Sequence, residues 1–490
     1  MKKSILGILI IMESLFLGLT TIVSLAYGEE DWYKYLVVAL SAATFGTVCK
    51  RIGERDGDHH MTRADSFLVV VMSWILFSVI GMVPYVWICG MDAASAFFET
   101  MSGFTTTGAT CFSDIDAQPR ALLLWRSVTQ WIGGLGIVVF SFALIPVYEL
   151  KNSNVYSAEV TGLGVDKLRP KIGATARRML MAYLLLTTAC AMFYWIGPMD
   201  FYDSVCHALT TIATGGFSTH TASMAHFHSA YIEYEACAFM IFSSINFSLY
   251  YYLSIRRVGV MVRNEELRTF FGIVFVSVAV FTALFFLACP SDIPSDTLPH
   301  GAEETFRTSL FHVSTIISST GFAAQKCDYV AWGPTFWMPT LVIMAIGACA
   351  GGTAGGIKVI RIIIAVKSVL NELIVQLHPR AVLGVRVSGQ IVPADKVRKT
   401  LAFIVIYVFL VTLAMLLYRL IGEDADTALG SSISMLSNTG PGMGTTGPTG
   451  NFSSVPTAGK YMLSLYMLIG RLEIFTVLFL LLPQYWKDRK

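Results

Sequence analysis

Four Thr-Gly pairs recur at similar intervals along this chain: Thr107-Gly108, Thr214-Gly215, Thr320-Gly321 and Thr439-Gly440. Each closes a half-apolar stretch too short to cross a bilayer: AASAFFETMSGFTTTGAT, DFYDSVCHALTTIATGGFS, TFRTSLFHVSTIISSTGFAA and ADTALGSSISMLSNTGPGMG. The dipeptide also occurs at Thr161, Thr446 and Thr449. The informative feature is therefore the repeated context of spanning helix, short helix, Thr-Gly and spanning helix, four times over. The chemistry available to such residues is that of the backbone. A short helix that enters the membrane and stops presents unpaired C-terminal carbonyls of partial negative charge. Glycine admits backbone angles that line up the next carbonyls, which then replace the hydration shell of an ion. No charged residue lies within the Thr-Gly segments. Carbonyl and hydroxyl oxygens without a carboxylate suit a monovalent cation better than a divalent one, which recruits Asp or Glu.

A second set of residues lies in GACAGGTAGGIKVIR, where Gly347, Gly351, Gly352, Gly355 and Gly356 interrupt an otherwise apolar span. A phosphate-binding loop would need GxxxxGK followed by Ser or Thr, after a strand. Here Lys358 follows Ile357 and precedes valine, so that chemistry is excluded. Close helix packing would need only one pair spaced by four, such as Gly347/Gly351 or Gly352/Gly356. Each glycine weakens a helix by about 1 kcal/mol relative to alanine, so five predict a local unwound segment. A continuous helix over 335–372 would also be about 57 Å long, nearly twice the ~30 Å hydrocarbon core. Arg471 is the counterpart oddity, placed deep in KYMLSLYMLIGRLEIFTVLFLLL. A charge at that depth costs at least ~2.5–3.5 kcal/mol, which marks a functional position or a structural ion pair, with Glu473 as the nearest partner in sequence.

The elements that must position these residues are membrane helices. The chain has 490 residues, 54% hydrophobic and only 14% charged, where a soluble domain carries about 25% charged residues. Ten apolar spans are predicted at 4–27, 33–49, 66–90, 121–148, 179–197, 230–254, 269–289, 335–372 with its interruption, 400–421 and 461–483. The first run reads as a membrane helix, because it is longer than a secretory signal core and another apolar segment follows at once. Most Lys and Arg then fall on one side, including Lys2, Lys50, Arg178, Arg257, Arg386 and Lys490. That asymmetry places both termini in the cytoplasm. Acidic residues such as Asp92, Asp116 and Asp424 collect on the other side. The predicted fold is thus an all-α polytopic membrane protein. It comprises two N-terminal helices (1–63) and four pseudo-fourfold helix–pore-helix–helix repeats around one pore, at 64–178, 179–267, 268–397 and 398–490. The inner loop at 373–399 contains VLGVRVSGQIVP, which predicts a small hairpin turning at Ser388-Gly389.

Other chemistries find little footing. The nine cysteines show no metal-ligand spacing and fall mainly in apolar segments. His59-His60 and the His226/His228 pair lie in loops, and no third ligand is evident beside them. An intramembrane enzyme would need paired Asp, Ser/Lys or HExxH residues within spans. The spans offer mainly Glu13, Arg126, Arg419, Arg471 and Glu473, with no such grouping. Nothing points to an organic cofactor or to nucleic acid. Among transporters, a carrier alternating between two shapes, coupled to Na⁺ or H⁺, stands as the nearer rival to a channel-like path.

The segments FETMSGFTTTGAT, WIGGLGIVVF, LHPRAV and GRLEIFT, together with the fourfold plan, resemble the Trk/Ktr/HKT superfamily of potassium transporters over essentially the whole chain. The two extra N-terminal helices look like the membrane subunit of the bacterial Trk potassium-uptake system, in the inner membrane. The resemblance implies a K⁺ selectivity filter lined by Thr106, Thr107 and Gly108; Ala213, Thr214 and Gly215; Ser319, Thr320 and Gly321; and Asn438, Thr439 and Gly440. Glycine in all four repeats would favour K⁺ and Rb⁺ over Na⁺. The fourth repeat departs from its siblings at Pro441. The resemblance further implies that the glycine-rich loop gates the pore, that Arg471 faces it, that the protein is a homodimer in membrane lipid, and that a cytoplasmic nucleotide-binding ring subunit regulates it.

Overall fold

The computed structural model describes residues 2–55, 63–136, 172–287 and 297–487. The distal part of the predicted span 121–148, His59-His60, Thr161, Cys289 and most of the inner loop 151–178 lie outside them. Helices α1 (Lys2–Ala26) and α2 (Trp32–Arg55) form an antiparallel pair. Their backbones meet at glycine: a Cβ on Gly7 would collide with Gly46 O and Lys50 N, and one on Gly53 with Ser4 N. Close backbone approach at small residues is how membrane helices gain contact without a hydrophobic drive. Helices α3 (Arg63–Gly81), α4 (Val83–Cys89), α5 (Ala93–Phe104) and α6 (Arg120–Leu135) follow. Next come α7 (Ile172–Ile196), α8 (Phe201–Ile212), α9 (Ala230–Ser244), α10 (Phe247–Ser254) and α11 (Val258–Val262). The chain continues through α12 (Glu265–Leu287), α13 (Gly301–Ile317), α14 (Pro334–Ile346) and α15 (Val359–Leu377). Last are α16 (Ala394–Leu420), α17 (Ala425–Ser437), α18 (Thr457–Arg471), α19 (Ile474–Leu481) and α20 (Pro483–Lys487).

Six described helices are long and apolar enough to cross a bilayer, or eight if each of two bent pairs counts as one span. The other two predicted spans are seen as α6, which is only partly described, and as α14 and α15 on either side of the glycine loop. The four half-apolar stretches form α5, α8, α13 and α17, as expected. Their starts are set by capping: Asp92, Asp200 and Asp424 accept from the amides of Ser95 (3.1 Å), Asp203 (2.6 Å) and Thr427 (3.2 Å). At α13 the Glu304 carboxylate accepts the His300 amide instead (2.5 Å).

Two spans read as continuous are broken. Helices α9 and α10 meet at 94°, and α18 and α19 at 117°. Neither break carries Gly or Pro, which is why the sequence conceals them. Asn246 caps α10 through its side-chain oxygen on Ser248 N (2.9 Å), and Glu473 enters the left-handed region at φ 59°. The glycine-rich interruption between α14 and α15 is therefore not the only break among the described helices. The inner hairpin forms between β1 (Arg386–Val387) and β2 (Gln390–Ile391), with Arg386 opposite Ile391. Ser388 and Gly389 both take positive φ, the two-residue turn that matches strand twist. No disulfide joins the described cysteines.

Candidate functional site

The ends of α5, α8, α13 and α17 share one backbone motif. One residue past the end of α17, and two past the ends of α5, α8 and α13, the chain enters the left-handed region, at Thr106 (φ 51°), Thr214 (54°), Ser319 (52°) and Asn438 (53°). Two residues later comes a positive-φ glycine: Gly108 (85°), Gly216 (77°), Gly321 (80°) and Gly440 (99°). The hydrogen bonds follow the same register, with Thr107 N to Ser102 O, Gly215 N to Thr210 O, Thr320 N to Thr315 O and Thr439 N to Ser434 O. Asparagine tolerates a left-handed backbone through its short polar side chain. A β-branched threonine does not, and such residues cost of order 1–3 kcal/mol each, held only where the surroundings over-determine them.

What over-determines them is a closed ring. A Cβ placed on Gly108 would strike Gly215 O; on Gly216, Thr320 O; on Gly321, Thr439 O; and on Gly440, Thr107 O. Each segment's glycine thus lies against a carbonyl of the next segment, and the last meets the first. In the second segment the backbone register differs from that of the Thr-Gly pair. Its structural equivalent of Gly108 is Gly216, not Gly215, and Ala213 remains the right-handed cap of α8. The Gly215-Gly216 doublet makes a Thr-Gly alignment ambiguous, and only the position of the left-handed residue resolves it. Gly215 still contributes its carbonyl. The ring is dry of charge but rich in hydroxyls: Thr105 and Thr107 pair at 2.8 Å, Ser318 and Thr320 at 2.7 Å. Asn438 Nδ2 donates to Thr107 Oγ1 (3.0 Å) and to Met467 O (2.9 Å). Thr439 Oγ1 is buried with no hydrogen-bond partner among the described residues.

Side chains outside the motif fix the ring. Arg126, 1% exposed, bonds Glu99 Oε1 (2.9 Å) on α5 and Ser218 O (2.9 Å) beyond Gly216, and lies over the Phe217 ring at 4.1 Å. Glu99 in turn accepts from Thr110 Oγ1 (3.0 Å) and Cys111 N (2.7 Å). Gln130 donates to Gly215 O (2.7 Å) and accepts from Phe217 N (3.0 Å). Arg126 is conspicuous in the sequence as a charge within a span; its partner Glu99 sits in a different element and only the fold joins them. Nothing in the sequence singles out Gln130.

The glycine-rich segment is unwound and packed directly against the ring. Gly347, Gly351 and Gly356 take positive φ, whereas Gly352 and Gly355 are needed for close approach to Ser244 O and Ser437 O. Gly355 N donates to Ser319 Oγ (2.7 Å), one of the four left-handed residues. Thr353 Oγ1 reaches Ile212 O and Ser243 O, each at 3.2 Å. The loop therefore touches the C-terminal ends of α8, α13 and α17 together. Its start is held by Glu266 Oε1 accepting Ala350 N (2.7 Å). Arg471, 4% exposed, donates to Thr353 O (2.6 Å) in this loop and to Gly133 O (2.9 Å) on α6. The sequence-level alternative of a pair with Glu473 is not what forms. Glu473 bonds Arg361 on α15 at 2.6 Å, joining the two half-helices that follow the breaks.

A helical bundle with broken spans around a closed backbone ring defines a polytopic helical membrane protein. Residues 42–487 match the TrkH family, described as a cation transport protein, and the chain belongs to that family. It is a transporter rather than an enzyme. It is 33% identical over 490 residues to the Trk system potassium uptake protein TrkH of Escherichia coli strain K12, covering 99% of this chain and 98% of that one. It is 32% identical to the Trk system potassium uptake protein TrkG of the same strain, over 98% of this chain and 97% of that protein. The fold matches the crystal structure of the potassium transporter TrkH from Vibrio parahaemolyticus with a TM-score of 0.85, at 31% identity and 99% coverage of both chains.

Proposed function

We propose that this protein takes up potassium across the bacterial inner membrane through the ring formed at Thr106–Gly108, Thr214–Gly216, Ser319–Gly321 and Asn438–Gly440. The observation that carries the reading is the closed ring of four backbone segments with a buried loop seated against it. Carbonyl and hydroxyl oxygens without a carboxylate match a weakly hydrated monovalent cation. The names of relatives that share the whole chain point to K⁺ as the transported ion. Four repeats divide the chain at 64–178, 179–267, 268–397 and 398–490, after an extension at 1–63, each contributing one quadrant.

In this reading the loop from Gly347 to Gly356 is the gate and Arg471 its latch. The loop blocks the path by its own bulk, and the guanidinium repels cations while its bonds to Thr353 O and Gly133 O hold the loop in place. Hydrogen bonds of a charged group are worth about 1.5–3 kcal/mol each, so the latch is substantial but breakable. The protein works as a homodimer in membrane lipid, with both termini in the cytoplasm and a nucleotide-binding ring subunit on the basic inner loops. The test is Rb⁺ uptake by proteoliposomes. Arg471→Ala, or a deletion of the loop, increases flux, and Gly108→Ser lowers the K⁺/Na⁺ ratio. Unchanged flux in the first two would overturn the gate, and an unchanged ratio in the third would overturn the filter.

A further inference from the structure

His220 lies four residues past Gly216, on the segment that leaves the ring. The fold brings to it what the sequence does not show for the loop histidines. His220 Nδ1 faces Asp116 Oδ1 at 2.7 Å, and its ring stacks on His226 with centroids 3.5 Å apart. One ligand atom from each of Asp116, His220 and His226 falls within 4.8 Å of the others. Behind them, His220 Nε2 bonds Asp203 Oδ2 at 3.0 Å, and Asp203 Oδ1 accepts from Thr219 Oγ1 (2.7 Å). Asp116 is anchored in its turn, since Oδ2 accepts Thr221 N (3.1 Å) while Thr221 Oγ1 accepts Ile115 N (2.9 Å).

We propose that Asp116, His220 and His226 bind one divalent transition-metal ion of the zinc class at the mouth from which the four short helices enter. Two imidazoles and one carboxylate form the borderline N/O set that selects zinc, copper, nickel or cobalt over the hard cations K⁺ and Mg²⁺. The carboxylate of Asp203 on the far nitrogen of His220 is the arrangement that fixes the tautomer and orientation of a metal-bound histidine. Zinc–nitrogen bonds of about 2.0–2.1 Å require the ligand atoms to draw closer than they stand. Parallel rings cannot both direct a lone pair at one ion, so the His226 ring turns out of its stack, which its exposed position allows. A fourth place is left for water. The ion would join the segment after Gly108 to the segment after Gly216, adding to the hydrogen bonds that already link them there. That this mouth is the external one rests on the charge asymmetry of the loops; the binding site itself does not.

The test uses purified full-length protein in detergent, titrated with Zn²⁺ by calorimetry and with Co²⁺ by visible absorption. The unaltered chain binds one Zn²⁺ and gives the strong visible band of four-coordinate Co²⁺, which Zn²⁺ abolishes. His226→Gln weakens binding by more than about tenfold, and Asp203→Asn by about 10–100-fold without removing a ligand. His226 is exposed, so its replacement leaves the fold standing, and the metal-free elution profile checks this. Absence of Zn²⁺ binding to the unaltered chain overturns the proposal. So does binding that His226→Gln and Asp203→Asn leave unchanged. Neither readout depends on potassium flux.

Discussion

At the scale of single residues, the ring tolerates no added atom at its glycines, because each faces a neighbouring carbonyl oxygen. Gly216→Ser should therefore depress Rb⁺ uptake and K⁺/Na⁺ discrimination as Gly108→Ser does, measured by competitive uptake in the same vesicles. A silent Gly216→Ser would show that the second quadrant is not built as the others are. The Glu99–Arg126 pair makes a second prediction. Both side chains are almost wholly buried, so removing one leaves the other uncompensated, which costs about 3–5 kcal/mol. Arg126→Ala should lower the thermal unfolding midpoint of the purified protein sharply, and more than Arg419→Ala, whose guanidinium bonds Glu423 O in an exposed loop.

At the scale of elements, the aspartate caps show how the short helices are started by sequence. Asp92→Ala should destabilise by about 1 kcal/mol, the usual worth of an N-cap. The hydrogen bond from Ser95 holds the Asp92 carboxyl below the usual carboxylate range, reinforced by Lys460. A group whose folded pKa is depressed stabilises above its unfolded value and loses that contribution as pH falls through the folded one. The gap between unaltered and Asp92→Ala midpoints should therefore be full at neutral pH and close in strong acid. The existence of these helices is legible because composition and length agree, whereas the start of α13 at Gly301, ahead of the apolar stretch read from Thr305, is not. The breaks at Ile245-Asn246 and Leu472-Glu473 are not, since a lone Asn246 cap inside an apolar run is a weak mark, Leu472-Glu473 carries none, and tertiary contacts decide. The register of the second ring segment is half legible: the glycines are visible, but which one enters the ring depends on where the helix stops. The Asp116–His220 contact spans 104 residues and leaves no trace in either segment alone.

At the scale of the whole molecule, charge asymmetry and the repeated short helices already imply a pore with an inside and an outside. Asp116 and His378 should then lie on opposite faces. A membrane-impermeant maleimide added to intact cells should label Asp116→Cys and spare His378→Cys, in a background whose native cysteines are replaced. Labelling of both, or of His378→Cys alone, would invert or break the proposed topology. The glycine loop reads correctly as unwound from the cost of five glycines. Its seat against three helix ends, and the role of Arg471 as a donor to Thr353 and Gly133, emerge only when all four quadrants are assembled.

The ring has one further consequence, for biogenesis. Thr107 lies against Gly440, and its hydroxyl takes a hydrogen bond from Asn438, 331 residues downstream. The first quadrant thus emerges from the ribosome long before its neighbour on that side exists. Until the segment around residue 440 has been synthesised and inserted, the other three quadrants form an open arc. The strained Thr106, Thr214 and Ser319 then lack the contacts that close their circle. Completion of the ring belongs to the last stage of translation, and a chain truncated before the fourth short helix should be left with an unfinished rim.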